Sequence, residues 1–298
     1  PGNDREGHSR RRSVSQEVRP RAPAAWTRPP RCAKQSPMQD IMKAVILTRN
    51  GRLTIESRPV PTPPHGEVLI RVLLAGICDT DLQLAAGYMG FSGIPGHEFV
   101  GRVESPGALE GRTVVGEINA PCRSCSVCDA GLERHCPERT VLGILGRDGA
   151  FAEYLTLPAD NLHVVPESIP LERAVFTEPV AAAFEILEQT PVTGRRALVI
   201  GCGKLGALCA RVLRLEGASV TVQARRPETI SALVADGFES IENGAEPPPV
   251  SQRYDLVVEA SGSAEGFPYA LGFVRPRGTL VLKSTTADNR PLSLAPVV

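Results

Sequence analysis

From Met42 onward the apolar residues fall in short runs broken by Gly and Pro. Residues 43–47, 53–56 and 67–74 read as short strands, and Pro61, Pro63, Pro64 and Gly66 punctuate the gap between the second and third. Further β patterns lie at 98–103, 113–117, 152–157 and 163–165. Many short strands joined by Gly/Pro turns predict a compact β-rich domain, barrel-like or sandwich-like. The pattern then changes. Residues 181–188 read as a helix, 196–200 as a buried strand, 207–215 as an apolar helix and 220–223 as the next strand. Residues 255–260 and 279–283 supply two later strands of a parallel sheet, so the second half is α/β.

Residues 1–41 behave differently. They are Arg- and Pro-rich, carry Arg10-Arg11-Arg12, and hold nine Lys or Arg against four Asp or Glu. Such a segment buries too little apolar surface to offset chain entropy and is expected to be a disordered basic leader. It reads as a non-native leader, or as a transit peptide for organelle import. The whole chain has 298 residues, enough for two domains. Its formal net charge is zero, which suggests neither a nucleic-acid nor a membrane partner. Its apolar runs are far short of a membrane span.

Cysteine usage sharpens the picture. Of the eight Cys, Cys122, Cys125, Cys128 and Cys136 fall in a C-x2-C-x2-C-x7-C spacing, while Cys32, Cys78, Cys202 and Cys209 are scattered. Four thiolates so close in sequence can surround one metal ion, and zinc suits an all-sulfur, closed, structural site. An iron–sulfur cluster is the rival reading, although the bacterial ferredoxin run has a tighter last interval. Disulfides would need an oxidising compartment, and a reducing, cytoplasmic one fits this pattern of Cys better.

Three further stretches carry metal-ligand chemistry: Gly76-Ile77-Cys78-Asp79-Thr80-Asp81, Gly96-His97-Glu98 and Phe176-Thr177-Glu178-Pro179. Each alone is weak, because a single Cys or His is more often structural. A Gly201-Cys202-Gly203-Lys204-Leu205-Gly206 turn follows one predicted strand and opens a helix, the context that makes G-x-G-x-x-G a dinucleotide signature. Gly201 permits the tight turn, Gly203 lets a pyrophosphate approach the backbone, and Gly206 allows close packing of the helix. Past the second strand come Arg225 and Arg226, where NAD-preferring sites hold an acid. Two guanidiniums suit a 2′-phosphate, so NADP is expected over NAD.

In this order around the four-cysteine loop, these residues resemble the zinc-dependent medium-chain dehydrogenases, the alcohol and polyol dehydrogenase family. The resemblance covers nearly all of residues 42–298. It implies an α/β chain: a β-rich GroES-like catalytic domain over 42–179, then a Rossmann dinucleotide-binding domain over 180–298. It also implies two zinc ions per chain. Cys78, His97 and Glu178 would bind the catalytic one, with Glu98 a further ligand or a close carboxylate. Cys122, Cys125, Cys128 and Cys136 would bind the structural one. Asp81 matches the acid that orients the metal His, and Thr80 the hydroxyl that passes the substrate proton outward. Some members continue that relay with a His where this chain has Gln83, so the proton would leave by water or another group. Ser261-Gly262 sits where such domains pass beneath the nicotinamide.

The expected activity is hydride transfer between a secondary alcohol, polyol or sugar and a nicotinamide cofactor. Relatives continue beyond the point matching residue 298, with another strand of the cofactor sheet and a return into the catalytic domain. The cofactor domain is therefore expected to be incomplete, and the homodimer or homotetramer of a complete relative is in doubt. The competing expectation is a truncated zinc- and nucleotide-binding remnant without turnover.

Overall fold

The computed structural model describes residues 40–287. The leader expected over 1–41 lies outside the described residues except for Asp40 and Ile41, as does 288–298. The described chain opens with an antiparallel hairpin, β1 (Ile41–Leu47) and β2 (Leu53–Pro59). Strand alternation turns Met42, Ala44 and Ile46 inward and leaves Ile41 and Lys43 outside.

Next come β3 (Glu67–Gly76), helix α1 (Asp79–Ala85), β4 (Glu98–Val103) and β5 (Thr113–Gly116). A small lobe follows: β6 (Asn119–Ala120), α2 (Ser126–Asp129), β7 (Thr140–Leu142) and β8 (Gly146–Arg147). Then β9 (Tyr154–Pro158) and β10 (Leu162–Val164) complete an antiparallel sheet of order β10-β5-β4-β3-β9. Its core holds Ile70, Phe99, Val114, Leu155 and Leu157, all buried. A bidentate ion pair closes one edge. Arg147 reaches Glu67 at 2.7 and 2.8 Å, and two further donors go to Thr140 Oγ1 and the Thr156 carbonyl.

Short α3 (Leu171–Ala174) leads into α4 (Thr177–Gln189). The position 179, where the sequence suggested a boundary, falls in the first turn of α4, where proline is tolerated. Beyond it run β11 (Arg196–Ile200), α5 (Lys204–Leu215), β12 (Ser219–Gln223), α6 (Pro227–Ala235), β13 (Glu239–Ser240), β14 (Tyr254–Glu259), α7 (Gly266–Leu271) and β15 (Val274–Leu282). The five strands pair in parallel in the order β13-β12-β11-β14-β15. Both faces are covered, which explains the unbroken apolar run of β11. Ala197 and Val199 pack among Ile186, Cys209 and Leu213 on one face, while Leu198 and Ile200 pack with Ala270 and Phe273 on the other.

Most elements start within two residues of the sequence expectation. The last strand is longer, beginning at Val274 rather than 279. The β6-β7-β8 sheet was not anticipated, because strands of two or three residues are too short to show alternation. No helix among the described residues is long and apolar enough to cross a membrane.

Candidate metal centres and cofactor cleft

The four-cysteine lobe is built locally. Cys125 precedes the single turn of α2, which carries Cys128, and Cys122 N–H points at Cys136 Sγ at 3.5 Å. The sulfurs approach one another at 3.5 Å (Cys122–Cys136), 3.6 Å (Cys125–Cys128), 3.8 Å (Cys125–Cys136) and 4.0 Å (Cys122–Cys128). Bonds of about 2.3 Å in a tetrahedron put sulfurs about 3.8 Å apart, so this donor set fits one zinc ion. The same distances are far beyond a disulfide bond of about 2.05 Å. The thiols are unequal: hydrogen bonding to Ser124 pulls Cys122 down to about 6, and burial pushes Cys128 up to about 12.

Asn161 fastens this lobe to the β domain and carried no sequence motif. Its buried amide donates to the Glu117 and Asn119 carbonyls at 2.8 and 2.7 Å and accepts from Arg123 at 3.1 Å.

The second cluster forms where β3 ends and β4 begins. Ligand atoms of Cys78, His97 and Glu98 all lie within 4.8 Å of one another. Cys78 caps α1 in a capping box, and Asp81 three residues on accepts from Cys78 N–H at 2.9 Å. The other oxygen of Asp81 accepts from Gly96 N–H at 3.2 Å and stands 3.5 Å from His97 Nδ1. One buried carboxylate therefore ties together the two loops that carry Cys78 and His97. The Nδ1 separation is long for a hydrogen bond, and this buried nitrogen has no closer partner. Gly76 lies opposite Glu98 in the β3–β4 register, and a Cβ there would stand 2.2 Å from Glu98 Oε2. The missing side chain makes room for the carboxylate, a role that nothing in the sequence pattern announced.

Glu178, at the start of α4, lines the same cleft but lies outside the tight cluster. Burial and the neighbouring Glu98 and Glu117 charges raise its pKa to about 7. Burial also raises Glu98, against the opposing pull of His97. His97 is lifted to about 10: burial works against its charge, but Asp81, Cys78 and Glu178 outweigh it. Three carboxylates crowd one imidazole, an excess of negative charge that a divalent cation would relieve.

A cleft of about 1120 Å³ joins this cluster to the Gly-rich turn. Gly201 has φ +84°, and a Cβ on it would meet Ser261 Cα at 2.3 Å. A Cβ on Gly206 would meet the Gly201 carbonyl oxygen, also at 2.3 Å, whereas Gly203 faces open space. The turn is thus packed tight behind and empty in front, as a backbone approached by a pyrophosphate requires. Cys202, in the same turn, is buried, and burial pushes its thiol up to about 12. Leu205 lines the cleft behind it.

Strand β12 ends at Gln223, whose buried amide bonds the Glu242 carbonyl and Tyr269 Oη. Ala224 is buried, and Arg225 and Arg226 stand exposed at the cleft wall. Thr80, Gln83 and Gly262 also line the cleft. The Ser261 loop is pinned by buried Glu259, whose Oε1 accepts from Ser261 N–H at 2.8 Å and from Ser261 Oγ at 2.5 Å. Sequence patterns do not reveal that anchor, since Glu259 reads simply as the end of an apolar strand.

Residues 64–167 match the alcohol dehydrogenase GroES-like domain family. D-altritol 5-dehydrogenase of Agrobacterium fabrum is 30% identical over 270 residues, covering 86% of this chain and 80% of that protein. L-threonine 3-dehydrogenase of Streptomyces coelicolor is 32% identical over 263 residues, 80% of this chain and 76% of its own length. Among solved structures, the alcohol dehydrogenase TADH of Thermus sp. ATN1 superposes with a TM-score of 0.75 at 31% identity, covering 86% of this chain and 81% of that one. A zinc-binding dehydrogenase of Sinorhizobium meliloti solved with NADP gives 0.76 at 26% identity, with 87% and 82% covered. Relatives this similar, aligned over most of both chains and sharing the fold, show that the chain belongs to the zinc-dependent medium-chain dehydrogenases, the alcohol and polyol dehydrogenase family of oxidoreductases.

Proposed function

We propose that this chain passes a hydride between a secondary alcohol, polyol or sugar and NADP(H), with one catalytic and one structural zinc. The observation that carries the reading is the placement of the Cys78–His97–Glu98 cluster and the Gly201 turn in one cleft. Cys78, His97 and Glu98 would hold the catalytic ion, with Glu178 on the wall of the same cleft. Cys122, Cys125, Cys128 and Cys136 would hold the structural ion. Zinc supplies Lewis acidity toward the substrate oxygen, and the nicotinamide supplies the hydride acceptor.

The protein's own groups do the rest. Asp81 fixes the loops that present Cys78 and His97. Thr80, one residue into α1, offers the hydroxyl through which the substrate proton moves outward. The relay passes to water after that, because Gln83 does not titrate and its Oε1 already accepts from Ala287 N–H. Gly201, Gly203 and Gly206 shape the pyrophosphate turn, while Arg225 and Arg226 receive the 2′-phosphate. Ser261 and Gly262 form the floor beneath the nicotinamide. Similar proteins named for altritol and threonine support a small hydroxyl-bearing substrate.

Elemental analysis and a substrate panel test this reading. The expected result is two zinc ions per chain, falling to one in Cys78→Ala. NADP+ reduction at 340 nm should follow addition of polyols, and Arg225→Ala with Arg226→Ala should erode the preference for NADP+ over NAD+. One zinc in both proteins would sink the catalytic site, and an unchanged cofactor ratio would sink the 2′-phosphate assignment.

A further inference from the structure

Three approaches tie the cofactor half to α1, the helix that Cys78 caps. Lys204 Nζ donates to the Ile77 carbonyl at 3.0 Å. Ala287 N–H donates to Gln83 Oε1 at 2.9 Å. Asp79 Oδ2 stands 3.5 Å from where a Cβ on Gly262 would sit. Asp79 and Gln83 are one helical turn apart and share a face, so α1 turns that face toward the cofactor half.

Lys204 alone among these groups belongs to the Gly-rich turn, as the first residue of α5 after Gly203. Its target is a particular peptide. The Ile77 carbonyl and the Cys78 N–H belong to one planar unit. Asp81 holds the N–H end of that unit at 2.9 Å, and Lys204 holds the carbonyl end at 3.0 Å. The plane that sets the direction of the Cys78 side chain is therefore gripped from both sides of the cleft. An ammonium has three donors, and the carbonyl uses one. Lys204 is exposed and lines the cleft next to Gly203, which faces open space, so its other two donors are available to a diphosphate lying there.

We infer that Lys204 is a positioning residue that couples the two sites: it bridges the Ile77 carbonyl and the cofactor diphosphate. Cofactor binding then steadies the Cys78 peptide, and an assembled metal centre tightens cofactor binding, since such coupling is reciprocal. The inference rests on the dinucleotide function proposed above.

A simple phosphate contact would also weaken cofactor binding when removed, so the test is a cycle. NADPH affinity is titrated by fluorescence on four proteins prepared in the presence of zinc: unsubstituted, Lys204→Met, Cys78→Ala and the double variant. Removing Cys78 should weaken binding about fivefold or more when Lys204 is present, and less than about twofold in the Lys204→Met background. Equal losses in both backgrounds would overturn the bridge.

A second readout does not depend on Cys78→Ala folding. With cobalt(II) in the metal sites, saturating NADP+ should shift the visible absorption bands of the unsubstituted protein and of Lys204→Arg, but not those of Lys204→Met. A shift that persists in Lys204→Met also overturns the bridge. If the unsubstituted holoprotein binds no NADPH at all, the dinucleotide reading itself fails and the bridge fails with it.

Discussion

Gly76→Ala is a small change with a calculable effect on the catalytic centre. The backbone at Gly76 is not in the left-handed region, so alanine adds no conformational strain there. The added Cβ would stand 2.2 Å from Glu98 Oε2 and 3.0 Å from Glu98 Cβ. Non-bonded heavy atoms settle at about 3.5 Å, so the carboxylate must withdraw by roughly 1 Å. A metal–ligand distance tolerates about 0.2 Å, which makes that displacement equivalent to losing the contact. Losing that contact costs at least as much as losing a group that merely supports a ligand, about 10–100-fold in affinity, or about 1.4–2.8 kcal/mol. Zinc release is measured by competition with a chromogenic chelator, and the four-cysteine site serves as an internal control. Gly76→Ala should release one ion at about 10–100-fold lower chelator concentration, while the second ion leaves as in the unsubstituted protein. Release of both ions at unsubstituted chelator levels would refute the argument that Gly76 makes room for a metal-binding Glu98.

Arg147→Met tests the ion pair at the edge of the β sheet. Burial raises the Glu67 pKa, but the Arg147 and Thr156 hydrogen bonds and the Arg147 charge outweigh it, so the net shift is downward. A depressed folded-state pKa contributes stability above the ordinary carboxylate range and loses it as pH falls through the folded value. Both side chains are less than one-fifth exposed, at 18% and 11%, so urea melts near neutral pH should show a loss of about 3 kcal/mol. That gap should narrow in acid, and a gap that widens would contradict the assignment. Gly203→Ala should leave the melting temperature unchanged, because nothing lies within 4 Å of the added Cβ. It should still weaken NADPH binding in a fluorescence titration, by blocking the backbone that the pyrophosphate approaches. Cys136→Ser removes a fully buried sulfur of the lobe. It should lose one zinc by elemental analysis and speed hydrogen exchange across 121–139, with the Cys78 centre still loaded.

The features legible in the sequence are those in which neighbours along the chain are also neighbours in space. Four cysteines within one short loop constrain their own tetrahedron, because the chain between them is too short to carry them apart. The Gly201–Gly206 turn is legible for the same reason: strand, turn and helix are consecutive, and each glycine answers a local steric demand. The parallel strands announced themselves by apolar runs, since both faces of that sheet are covered. Tertiary structure decided what depends on elements meeting from far along the chain. Glu98 joins Cys78 and His97 because β4 pairs with β3 in a register that sets a glycine opposite it. Glu178 was expected as a ligand on equal terms, yet the placement of α4 leaves it on the cleft wall outside the tight cluster. Asn161 and Glu259 look like ordinary residues of a turn and a strand end, and only packing reveals them as anchors for the lobe and the Ser261 loop. The contact between Lys204 and Ile77 spans 127 residues. Propensity and spacing describe each end of such a contact, but the balance of burial across the whole fold sets the distance between them.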